Sequence, residues 1–189
     1  MAAEDLEVVL EEAKSAMQKS LESLQRDMGR VRTGRANPAL LEAVQVDYYG
    51  ASTPLQQLAT ISVADARLLT IQPFDPQALD GIERAILKAD LGFSPVNDGK
   101  ILRVPIPELT EERRREFVKQ VKRMGEEHKI GVRNARRDAI SILKDLEKEK
   151  SISQDDSRVT QKHVQDMTED FSRQIEEAGA AKEQEILRI

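Results

Sequence analysis

The chain has 189 residues, enough for one domain or two small ones, and contains no cysteine, which excludes disulfides, thiolate zinc sites and cysteine nucleophiles. Its 29 Lys+Arg against 34 Asp+Glu leave a net charge of -5, so any contact with nucleic acid must be local rather than spread over the surface. Hydrophobic residues make up 39% but aromatics only 3%, with no Trp, so the core must be aliphatic, as helix-bundle cores are. No apolar run approaches membrane-spanning length, and the acidic N-terminus lacks the marks of a secretory or transit signal. The absence of cysteine fits a reducing, cytoplasmic setting.

In residues 4–31, Leu6, Leu10, Ala13, Met17, Leu21, Leu24, Met28 and Val31 recur every three or four positions, which predicts a long amphipathic helix. Gly29 predicts fraying or a bend near its end. The aperiodic run Arg32-Thr33-Gly34-Arg35-Ala36 follows, and Asn37 before Pro38 reads as N-cap and first residue of a short helix through Leu41. From about residue 43 to 104 the texture changes. Residues 44–49, 59–63, 68–73 and 101–105 read as strands, with turns at 64–67 and 97–100. Residues 76–91 read as a helix whose apolar face is Leu79, Ile82, Ile86 and Leu87, with Asp75 as its cap. Such a mixture within about sixty residues makes a small α+β domain.

Residues 110–150 predict a second long helix. Phe117, Val121, Met124, His128, Val132, Ala135, Ala139, Ile142 and Leu146 advance by about 3.6 residues per step, so they form one stripe. Arg115, Lys119, Lys122, Lys129, Arg133, Arg136, Arg137 and Lys144 fall on the opposite face. A charged helix face is ordinarily solvated and laced with its own ion pairs. Here, however, residues 111–137 hold ten Lys/Arg against five Asp/Glu in a chain that is acidic overall. The cations near Arg136 are mostly arginine, whose planar fork suits phosphate oxygens, so the face points to a polyanionic partner. Ile130 and Ile140 on that side leave a second reading open, a helical adaptor that grips a protein. A third long helix begins at the capping box of Ser153, Asp155 and Asp156, carries Val164, Met167, Phe171, Ile175 and Ala178, and runs toward Ile189.

No long helix can bury its stripe alone, so the three form a bundle. The expected fold class is α+β in two domains: a discontinuous three-helix bundle (1–33 plus 106–189) with an inserted, sandwich-like α+β domain (34–105). The chain crosses between them twice, and Thr33, Gly34, Val104, Pro105, Ile106 and Pro107 are the expected hinge, with Gly34 supplying freedom and the prolines stiffness. Nothing in the sequence assembles a catalytic constellation. His128 lies on the apolar stripe, His163 has no second ligand at useful spacing, Gly99-Lys100 lacks the glycine pattern of a phosphate loop, and Asp155-Asp156 lacks the rest of a calcium loop. The chain is expected to be no enzyme and to need no cofactor or metal. Tyr48-Tyr49 could stack on bases, but alternation turns one toward a core and the other toward solvent.

Several stretches together resemble the bacterial ribosome recycling factor family. They are Arg30-Val31-Arg32-Thr33-Gly34-Arg35-Ala36, Tyr48-Tyr49-Gly50 with Thr53-Pro54-Leu55, Arg103-Val104-Pro105-Ile106-Pro107, Leu109-Thr110-Glu111-Glu112-Arg113-Arg114 and residues 132–139. Lys129 stands where the family commonly has arginine, and the N-terminus is slightly longer. The resemblance implies an L-shaped monomer that binds large-subunit rRNA of the 70S-type ribosome after termination. It also implies that, with elongation factor G and GTP, the protein splits the ribosome into subunits and frees mRNA and tRNA; no membrane is involved. By the family pattern Arg32, Arg35, Arg114, Lys129, Arg133 and Arg136 contact rRNA, and the basic face of the helix adds Lys122 and Arg137.

Overall fold

In the computed structural model, residues 2–188 are described, with side-chain surroundings from residue 4 onward. The expected course of the last helix to Ile189 therefore ends outside the described residues. The chain divides into two compact units, Met1–Met28 with Val118–Ile189, and Gly29–Phe117.

The first unit is built from α1 (Ala2–Gly29), α4 (Glu111–Lys148, entering this unit at Val118) and α5 (Gln154–Leu187). Each pair of helices meets where a glycine leaves room for its neighbour: Gly131 faces Ser20, Gly125 faces Ile175 and Gly179 faces Met28. Three mutual contacts of this kind make a three-helix bundle. Its core is aliphatic apart from Phe171, drawing Met17, Leu21 and Leu24 from α1, Val121, Val132 and Leu143 from α4, and Val164, Ile175 and Ile186 from α5. The α4 stripe differs from the sequence reading at one place. Ile142 is 40% exposed and Leu143 is fully buried, because a mean step of 3.6 allows either neighbour and the packing partner chooses. His128 is only half-buried; its Nε2 lies 3.2 Å from Asp27 Oδ2 without the alignment of a hydrogen bond. Ser153 accepts from the Asp156 amide at 3.1 Å and so caps α5.

The second unit opens with a 3-10 turn, Pro38–Leu41, capped by the Asn37 side chain on the Ala39 amide. An antiparallel hairpin of β1 (Gln45–Tyr48) and β2 (Ala51–Pro54) leads through the one-turn α2 (Leu55–Leu58) to β3 (Ala59–Asp65) and β4 (Leu68–Pro73). A 3-10 turn at Pro76–Ala78, capped by Asp75, starts α3 (Leu79–Lys88), and β5 (Val96–Asn97) and β6 (Leu102–Pro105) complete the unit. The larger sheet has the order β3-β4-β6-β5, antiparallel throughout. Leu69 and Ile71 on β4, and Leu102 and Val104 on β6, alternate into the core, where they meet Leu79, Ile82 and Ile86 of α3 and Val44 and Val46 beside the hairpin. Leu87 is 55% exposed, so the apolar face of α3 ends one residue earlier than its sequence suggests. The strands β2 and β5 were not expected; each is too short and too polar to show alternation.

These assignments set the relative cost of two adjacent substitutions. Leu143→Ala opens a void in a closed core and should destabilise the bundle by about 2–5 kcal/mol. Ile142→Ala should cost less than about 1 kcal/mol. Urea unfolding followed by helix content distinguishes the two.

A candidate nucleic-acid interface on the central helix

Helix α4 carries most of the cations singled out from the sequence, and the structure sorts them by what their neighbours do. Arg113 pairs with Glu116, Arg115 with Glu111 and Arg123 with Glu127, all within the helix. Lys122 reaches Glu183 of α5 at 3.8 Å. Lys129 departs furthest from the expected open array. Its side chain is only 14% exposed, and Nζ donates to Glu176 of α5 at 2.7 Å and to Glu126 at 3.2 Å. By contrast, Arg133, Arg136 and Arg137 are exposed and no described carboxylate pairs with them. Positions 133, 136 and 137 share one face of a helix, so three guanidinium groups stand together with their charge uncompensated. Lys119 and Lys144 are exposed and unpaired in the same sense. Ile130 is 52% exposed one turn before Arg133, while Ile140 is half-buried, which removes one of the two anchors an adaptor would use.

The remaining expected contacts lie in the second unit. Arg35 is exposed and unpaired. Arg32 is already engaged: it donates to the Leu91 carbonyl, and its guanidinium stacks 5.0 Å from the centre of the Phe93 ring. Arg114 is half-buried, with Nε enclosed and without a hydrogen-bond partner among the described residues. All six expected hinge residues fall within the second unit. Thr33, Val104 and Ile106 are buried, Pro105 and Pro107 are exposed, and Gly34 has φ +77. The turn between β3 and β4 ties this region down. Ala36 N–H donates to the Ala66 carbonyl at 2.7 Å and Ile106 N–H to the Arg67 carbonyl at 2.8 Å. Arg67 itself donates to the Ile106 carbonyl and to Glu108. Neither Arg67 nor Phe93 was singled out from the sequence, since their roles depend on partners about forty and sixty residues away.

Among the described residues no group of three or more His, Cys, Asp or Glu side chains is arranged to hold a metal ion, and no helix is long and apolar enough to cross a membrane. The Lys129–Glu176 bridge shifts both of its partners. The hydrogen bond from Lys129 holds the Glu176 carboxyl below its ordinary value, and the bond to Glu176 raises Lys129 against the opposing effect of burial. A lowered carboxylate contributes stability above its unfolded value, near 4.5, and loses it as pH falls through the folded value. The stability deficit of Glu176→Gln should therefore be present at neutral pH and vanish in acid, as urea midpoints across that range will show. The lysine arm loses its contribution only in strong alkali, as pH rises through its raised value.

Comparison with known proteins identifies the family. A family model described as "Ribosome recycling factor" matches residues 24–187. The ribosome-recycling factor of Nitratidesulfovibrio vulgaris is 49% identical over 98% of this chain and 100% of its own length. A solution structure of a ribosome recycling factor superposes with a TM-score of 0.77 at 37% identity, covering 98% of each chain. A T. thermophilus ribosome recycling factor, described together with E. coli elongation factor G bound to the E. coli post-termination complex, matches with a TM-score of 0.68 at 44% identity over 97% of this chain and 99% of that one. A likeness of this depth, running through both units and over nearly the whole length, places the chain in the ribosome recycling factor family.

Proposed function

We propose that this protein acts in the cytoplasm on the post-termination ribosome, binding large-subunit rRNA through Arg133, Arg136 and Arg137 with help from Arg35, and that elongation factor G with GTP then drives subunit splitting. The observation that supports this most directly is the uncompensated arginine cluster on α4 in a chain of this family. Guanidinium groups that pair with no carboxylate of their own chain are free to make bidentate bonds to phosphate. The protein contributes binding and leverage, while the covalent step, GTP hydrolysis, belongs to its partner. Segment 34–105 is the moving part in this reading, turning about the chain crossings near Gly34 and Pro105.

Sedimentation of post-termination ribosomes with this protein, elongation factor G and GTP should yield separated subunits, and intact ribosomes would contradict the reading. Arg136→Ala should weaken binding to isolated large subunits by about 1–3 kcal/mol and reduce the slope of log affinity against log salt by about one. Lys129→Ala should leave that slope nearly unchanged, because Lys129 is already neutralised within the bundle. Equal loss of slope in both variants would count against the assignment.

A further inference from the structure

Strand β6 ends on one proline and leads to another, which limits what can hold the chain there. In Pro105-Ile106-Pro107 only Ile106 has a backbone N–H to give. The β4–β6 ladder stops at its last pair, Leu68 with Pro105. Beyond it the turn between β3 and β4, residues Ala66 and Arg67, takes over. The Arg67 carbonyl accepts the Ile106 N–H at 2.8 Å, and Arg67 Nε donates back to the Ile106 carbonyl at 3.2 Å. Its Nη1 reaches on to Glu108 Oε1 at 2.5 Å. One residue thus carries the grip of the sheet past the end of its strand as far as Glu108. Thr110, two residues further on, caps α4: its hydroxyl accepts from the Arg113 amide at 3.3 Å.

The same turn holds the other crossing of the chain. The Ala66 carbonyl accepts the Ala36 N–H at 2.7 Å. Gly34 lies against Leu109, where a Cβ on the glycine would stand 3.8 Å from Leu109 Cγ. Two stretches far apart in sequence are therefore gathered beside one two-residue turn. A register shift in the β3–β4 ladder between Val63 and Asp65 bends the end of this hairpin. Stability does not explain the side-chain part of the arrangement. Arg67 and Glu108 are 48% and 75% exposed, and ion pairs open to solvent contribute little. The two residues that Arg67 binds flank Pro107, where the sheet hands the chain on toward α4. Fixing the direction of the chain at that point is what these bonds can do.

We infer that Arg67 is a positioning residue for subunit splitting: it makes residues 106–108 move as one body with the sheet, so that a push on the second unit is carried into α4 rather than lost in a slack connection. This rests on the proposed ribosomal function, but part of its test does not. The chain has no cysteine, so Ser62→Cys and Asp166→Cys, both at exposed positions, take one spin label each. In the free protein Arg67→Gln should widen the distribution of label-to-label distances, and an unchanged distribution overturns the inference whatever happens on the ribosome. On post-termination ribosomes with elongation factor G and GTP, Arg67→Gln should split subunits about tenfold more slowly at saturating protein. Its affinity for isolated large subunits, the salt dependence of that affinity and its urea midpoint should match those of the unmodified chain. Lost affinity would make Arg67 an RNA contact, and a lowered midpoint would make it a structural bond. Either result, like splitting at the unmodified rate, overturns the inference. Glu108→Gln should slow splitting too, and adding it to Arg67→Gln should slow it no further. Additive losses would break the assigned pairing and with it the inference. Failure of the unmodified chain to split ribosomes would bring down the proposed function and leave the distance measurement to judge Arg67.

Discussion

A cation on a helix can serve a phosphate only if no carboxylate of its own chain has claimed it, and this condition organises the molecule. On α4 the claim is made repeatedly, by Glu111, Glu116 and Glu127 within the helix and by Glu176 and Glu183 from α5. These pairs are mostly exposed and add little stability individually, since solvent screens them. Their larger consequence is subtraction: they compensate cations along α4 and leave Arg133, Arg136 and Arg137 together, with Lys119 and Lys144 further along the helix, unpaired among the described residues. An acidic protein thereby acquires a local basic site without becoming a general polyanion binder.

The two units build similar aliphatic cores. The bundle buries methionine, leucine, isoleucine and valine along three stripes and spends its surface on charge of both signs. The second unit buries the same residue types between sheet, hairpin and α3, but residues 36–83 are almost without cations and display three of the six aromatic rings. Two arginines of this unit are used internally: Arg32 on the loop of Leu91 and Phe93, and Arg67 on Ile106 and Glu108. The same side chain thus serves as a structural bond at Arg32 and Arg67 and stays unpaired at Arg35 and Arg133, and the difference lies wholly in what stands nearby.

Much of this was legible in the chain itself. The 3.6-residue stripes announced three long helices, the caps at Asn37, Asp75 and Ser153 located helix starts, and alternation found β1, β3, β4 and β6, because these signals are local and repeat over many residues. The excess of arginine over acid near residue 136 falls where the structure leaves Arg133, Arg136 and Arg137 without a carboxylate partner among the described residues. The shorter elements β2 and β5 escaped, having too few residues for a period to declare itself, and Leu87 and Ile142 were placed inside when their neighbours' packing left them out.

The sequence by itself determined the elements, the aliphatic character of the cores and the helix that bears the cations, since each follows from periodicity and composition along one segment. Only the tertiary structure decided which cations remain free. Whether Lys129 finds Glu176, forty-seven residues later, or Arg32 finds Leu91, fifty-nine residues later, depends on distances that no local pattern encodes. Compensation of charge acts over a few ångströms of space, and the spacing of residues along the chain says little about it until the helices and sheets have packed.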